Sequence, residues 1–285
     1  MIRRYMSVLF LVVTVLGSSA ARLNAKEEKL KLEQLIAKHL ASIGTPEALA
    51  ATHSRSMEGK SQVIFRLGGA GLLNGKGSVV SDGHKYLIGM EFGAVNYPGD
   101  IMAFDGENLT VNLIKPGRRS NLGDFIYQHD VLLREGLLGG AMSTAWPLLD
   151  LASRQPKLSY TGLKKIEGQS LHELKYRARK GGGDLQISLY FDPGTFRHVA
   201  SRYRLVVPPA MAANPMDSAN QRETVYTLDE QFGNFAAVDS LTLPHFYKLT
   251  MTMEGQNASY LTEWNLQAEK ALQNPTVEPT TFVVQ

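Results

Sequence analysis

The sequence predicts an α+β protein built on a curved antiparallel sheet that closes around helices. Three observations carry this. Apolar residues recur at every second position over much of the chain. They fall at helical spacing in only a few places, near the N-terminus and in the middle. Turn signals such as Asp82-Gly83 and Asp105-Gly106 separate the strand-like runs. No linker rich in Pro, Gly or Ser divides the chain, so the reading is one domain over residues 26–285.

Lys26 to Ile43 reads as the first helix, because Leu32, Leu35, Ile36, His39, Leu40 and Ile43 share one face. Gly44 stops it, and Thr45-Pro46 starts a short second helix as cap and first position. The period then changes to two: Val63, Phe65 and Leu67 alternate with Gln62 and Arg66. Asn74-Gly75, Asp82-Gly83 and Asp105-Gly106 predict hairpin turns in a meander of about five strands, with runs over Tyr86–Phe92 and Leu109–Ile114. After Pro116-Gly117, the run from Leu122 to Leu137 has helical spacing, Gly139-Gly140 breaks it, and a second helix is expected from Pro147 to about Ala152. About six more strands follow. Residues 185–191, 199–207, 247–253 and 264–268 alternate most clearly, with Asp192-Pro193-Gly194 as a turn. Pro208–Gln221 is expected to be a long, mobile loop.

The 285 residues include no cysteine, which excludes disulfides, thiolate metal sites and a cysteine nucleophile. Arg3-Arg4, the apolar run Ser7–Leu16 and small residues up to Ala25 predict a secretory signal peptide over residues 1–25, cut after Ala20, Ala21 or Ala25. The full chain has 30 Lys and Arg against 27 Asp and Glu. Residues 1–25 hold three of those bases and no acid, so the remainder balances at 27 against 27. A long basic patch for nucleic acid is not expected, and the localisation expected is periplasmic and soluble.

The glycines of 68–78 match neither a Walker loop nor a dinucleotide fingerprint. None of the seven histidines stands four residues from another, and no metal site or cofactor is expected; His39 and His129 read as core or boundary residues. No Gly-x-Ser-x-Gly occurs. Glu223, Asp229, Glu230 and Asp239 read as solvated strand residues. Asn108-Leu109-Thr110 and Asn257-Ala258-Ser259 match a glycosylation pattern that is common by chance. The apolar stretch Gly136–Leu151, with Asp150 its only formal charge, stands out. It reads either as a core plug or as a lid over an apolar cavity. The candidate lining residues are Phe125, Ile126, Leu133, Leu137, Leu138, Met142, Trp146 and Leu149.

The order of elements resembles the LolA-like family of lipoprotein-localisation carriers. The local echoes are Tyr86–Met90 with Phe104-Asp105-Gly106, and Leu189-Tyr190-Phe191-Asp192-Pro193-Gly194-Thr195. The resemblance implies a half-open β-barrel whose concave face is covered by the N-terminal helix and the two-helix insert. It also implies an apolar cavity whose partners are acyl chains of lipid or lipoprotein, without catalysis. The alternatives are an envelope assembly module that binds a protein without lipid, and an exported hydrolase.

Overall fold

The computed structural model describes residues 30–209, 222–256 and 258–284. The expected signal peptide, residues 26–29 and most of the 208–221 loop lie outside these residues. The first helix, expected from Lys26, begins only at Leu32, because Lys31 before it is extended at φ −92° and ψ 160°.

Twelve strands form one sheet in the order β5-β4-β3-β2-β1-β12-β11-β10-β9-β8-β7-β6, with every neighbouring pair antiparallel. The first half is a meander: β1 (Ser54–Leu67), β2 (Gly71–Asp82), β3 (Lys85–Ala94), β4 (Tyr97–Phe104) and β5 (Leu109–Val111). The second half is another: β6 (Lys157–Ile166), β7 (Gln169–Arg177), β8 (Gln186–Phe191), β9 (His198–Val207), β10 (Thr224–Val238), β11 (Leu241–Glu254) and β12 (Ser259–Gln273). The pairing of β1 with β12 joins the meanders. β5 and β6 end the sheet unpaired with each other, so the curved sheet is a half-open barrel and not a closed one.

Helix α1 (Leu32–Ile43) buries Leu35, His39 and Ile43, and Gln34 accepts a hydrogen bond from the Lys31 amide at its start. Helix α2 (Pro46–Ala50) is capped by Thr45 as its sequence required. Between the meanders lie α3 (Asn121–Gln128), α4 (Val131–Arg134), α5 (Leu151–Arg154) and two 3₁₀ turns at Gly140–Met142 and Pro147–Leu149.

Four other expectations need correction. The single helix over Leu122–Leu137 is two, because His129 leaves helical geometry at φ −117° and ψ 57°. The helix expected from Pro147 is a 3₁₀ turn followed by the single turn α5, with Asp150 capping Ser153. Among the described residues seven strands follow the insert where about six were expected, and β6, β7 and β10 are those without a clear alternating run in the sequence reading. Asn74-Gly75 is not a turn but lies inside β2. Gly75 is needed there for a different reason: a Cβ on it would lie 1.8 Å from the Glu91 carbonyl oxygen. The other two turn signals stand where expected, after β2 and after β4.

Each central strand turns one row inward. Met57 and Val63 of β1, Ile88 and Met90 of β3, Leu189 of β8, Tyr203 of β9 and Leu249 of β11 are buried against the insert and α1 in one continuous core.

Candidate functional site

The insert fills the concave face. Phe125, Ile126, Leu133, Leu137, Leu138, Met142 and Trp146 are buried there, and Leu149 is half-buried. All eight belong to the packed core or lie against it. Leu149 also lines a cleft of about 760 Å³ between α2, the β2–β3 turn and Asp150.

Side chains from several strands, reaching into backbone groups, hold this segment. Gly139 and Gly140 form a left-handed turn at φ 75° and 49°. The Gly139 amide donates to Glu230 Oε1 at 2.7 Å. Tyr247 donates to the same oxygen at 2.9 Å, and Tyr203 donates to Oε2 at 2.6 Å. Tyr86 donates to the Leu138 carbonyl at 2.7 Å. Arg55, 2% exposed, donates from Nη1 to the Ala141 carbonyl at 2.6 Å and from Nε to Gln273 Oε1 at 3.1 Å. A Cβ on Gly139 would lie 2.8 Å from the Tyr86 hydroxyl, and one on Gly140 2.7 Å from His198 Nδ1. The glycine pair is therefore a pinned turn, required by both its dihedrals and its neighbours.

Glu230 is fully buried, which corrects its reading as a solvated residue. Burial pushes its carboxyl pKa up, and the tyrosine hydroxyls and the Gly139 amide only partly offset this. The signal for it was present: Leu228, Glu230 and Phe232 alternate on one face of β10, and both neighbours are buried. Of the other acids read as solvated, Glu223 and Asp239 are exposed, and Asp229 pairs with Arg202 at 2.6 Å.

A second buried acid, Asp100 of β4, anchors the start of α3. It accepts hydrogen bonds from Tyr97 and from Ser120, the α3 cap, and the Trp264 indole donates to the Tyr97 hydroxyl at 2.8 Å. Burial raises the pKa of this carboxyl as well.

Aromatic rings and two histidines close the other side. Trp146 stacks on His198 at 4.6 Å, and Phe232 meets that ring at 4.7 Å. The Trp146 indole N–H donates to His39 Nε2 at 3.0 Å, so the His39 proton sits on Nδ1 and points to the Phe196 carbonyl at 3.2 Å. Burial lowers the His39 pKa to about 4, and burial beside His39 also depresses that of His198. Both are neutral core residues at pH 7. Both positions agree with the reading from helix faces: His39 is a core residue and His129, half-buried, a boundary one. Among the described residues no three His, Asp or Glu side chains are grouped to hold a metal ion.

The chain is thus an open twelve-stranded antiparallel half-barrel with a polar-pinned apolar insert on its concave face, as the LolA-like outline implied. No protein-family model matches the sequence, and no curated protein matches it. Among solved structures, the fold is similar to that of a LolA superfamily protein from Nitrosomonas europaea, at 11% identity and TM-score 0.46, over 90% of this chain and 98% of that one. It is also similar to a DUF1329 family protein from Desulfovibrio piger, at 8% identity and TM-score 0.41, over 88% and 96% of the two chains. A third is a domain from Vibrio parahaemolyticus named for outer membrane lipoprotein sorting, at 10% identity and TM-score 0.38, over 88% and 96%. These likenesses extend to the fold and no further. No helix among the described residues is long and apolar enough to cross a membrane.

Proposed function

We propose that the protein is an exported, periplasmic, non-catalytic carrier of acyl chains, presented by a lipid or a lipoprotein. The observation that supports this is the insert itself. It lays an apolar stretch on the concave face of an open sheet, and polar side chains pin it there through a few backbone groups. An acyl chain has the same chemistry as Leu137, Leu138 and Met142, and can replace them against Tyr203, Leu189 and Phe232 if the insert swings out. Each buried CH₂ contributes about 0.8 kcal/mol, so an acyl chain first restores the burial that Leu137, Leu138 and Met142 give up, and only its length beyond theirs offsets the pinning hydrogen bonds at about 1 kcal/mol each.

Intact-mass spectrometry under native conditions, on protein isolated from its own host, tests this. The expected result is a bound species with the mass of a lipid or acylated peptide. If no lipid co-purifies and a fluorescent fatty acid shows no saturable binding, the carrier reading fails.

A further inference from the structure

The chain balances its charge overall but not locally. Residues 157–209, which form β6–β9 and their turns, carry ten Lys and Arg against four Asp and Glu. The rest of residues 26–285 then carries 17 against 23. A surplus of six positive charges on four strands of a neutral chain is a field, and a field of this kind implies an anionic partner.

Strand register puts much of this charge on one face. Ile187, Leu189 and Tyr203 point into the core, so the alternate positions point away from it. Lys157 stands opposite Arg177, and Gln186 opposite Arg204. In the next row Ser159, Lys175, Ser188 and Arg202 face one another across the four strands. With strands about 4.8 Å apart, the rows spread charge over about 14 Å. Together these residues line a shallow depression of about 550 Å³.

Carboxylates share this face: Arg202 is committed to Asp229 and also approaches Glu167 at 4.0 Å, Glu173 sits inside the depression beside Lys175 with its carboxylate held by Thr161, Ser188 and Tyr190, and Asp184 also lines it. Lys157, Lys175, Arg177 and Arg204 have no carboxylate within 4.0 Å among the described residues. The free charges are spread out and exposed or half-exposed, with none sunk at the base of a pocket. That geometry suits a broad array of anions better than one small anion. Among the described residues no exposed aromatic ring stands beside them to stack on a base, which separates the surface from a nucleic-acid platform.

We propose that the outer face of β6–β9 docks on a membrane surface of anionic phospholipid, with Lys157, Lys175, Arg177 and Arg204 meeting the phosphate headgroups. Arginine takes phosphate oxygens in pairs, and lysine adds point charge. The proposal stands on charge and register alone and does not depend on the concave face holding cargo.

The test is co-sedimentation of the protein with vesicles of phosphatidylglycerol and phosphatidylcholine, against vesicles of phosphatidylcholine alone. Binding is expected only to the anionic vesicles, and it should disappear in 1 M salt, where the screening length falls to about 3 Å. The triple variant K157E/R177E/R204E should lose at least a hundredfold in partitioning, since each neutralised cation near such a surface is worth about fivefold. The control K60E/K76E/K270E makes the same change in net charge on exposed lysines of β1, β2 and β12 and should keep most of the binding. Equal losses in the two triple variants would overturn the proposal, because net charge alone would then explain binding. Absence of wild-type binding to anionic vesicles at low salt would also overturn it, as would tighter binding to single-stranded DNA than to those vesicles.

Discussion

Glu230 is buried, ionisable and hydrogen-bonded by a backbone amide and two tyrosines, so its two simplest replacements should diverge. Glu230→Ala leaves the Gly139 amide and the Tyr247 hydroxyl without an acceptor, while Tyr203 keeps the Leu137 carbonyl at 3.1 Å, and should cost about 2–4 kcal/mol in urea unfolding. Glu230→Gln keeps an acceptor for Gly139 and carries no charge, so it should stay within about 1 kcal/mol of wild type at pH 7. The sign with pH is fixed by the raised carboxyl pKa. The stability contributed by Glu230 is fully present below its unfolded value and is lost as pH rises through the folded one. Wild type should therefore gain on Glu230→Gln as pH falls. His39 works in the opposite direction: its folded pKa is about 4 against 6.5 unfolded, so its contribution is present above pH 6.5 and is lost as pH falls towards 4. Wild type should lose on His39→Gln over that interval. Paired melts at pH 7, 6 and 5 read both slopes. Gly139→Ala forces a Cβ at φ 75° and within 2.8 Å of the Tyr86 hydroxyl, and should cost at least about 1–3 kcal/mol.

At the scale of elements, the insert differs from the strands in how it is held. Strand amides pair in ladders, whereas residues 137–146 depend on Tyr86, Arg55, Glu230, Ser81 and His39 reaching in from elsewhere. Hydrogen exchange should show amides in 121–154 opening at lower free energy than those of β1, β11 and β12. Glu230→Ala should speed exchange in the insert and leave those strands unchanged; uniform acceleration would show that the insert does not open separately. This difference also explains what the sequence made legible. Period-two runs such as Leu185–Phe191 announce themselves because each residue's environment repeats along the strand. The glycine pair was visible as a break, but its left-handed turn depends on Tyr86, Glu230 and His198, which are 53, 91 and 59 residues away. Glu230 was legible by alternation with Leu228 and Phe232, and its acidity hid it. The three tyrosine hydroxyls that converge near it were not legible at all, since register between β3, β9 and β11 sets where they meet.

For the whole molecule, the two faces should respond differently to salt. Cargo held by apolar burial on the concave side should change affinity little between 50 mM and 1 M salt. Docking through the cations of β6–β9 should vanish over the same range. The neutral overall balance of residues 26–285 hides this separation, because the basic surplus of residues 157–209 is cancelled elsewhere in the chain. An acyl chain bound as proposed lies between the insert and the sheet. Trp146, fully buried in that layer, can report it. The most direct measurement is quenching of tryptophan fluorescence by a brominated fatty acid, below its micelle concentration, in wild type and in Trp146→Phe. Quenching should be saturable in wild type and mostly lost in Trp146→Phe. Saturable quenching that persists undiminished in Trp146→Phe, or no quenching in wild type, would contradict it.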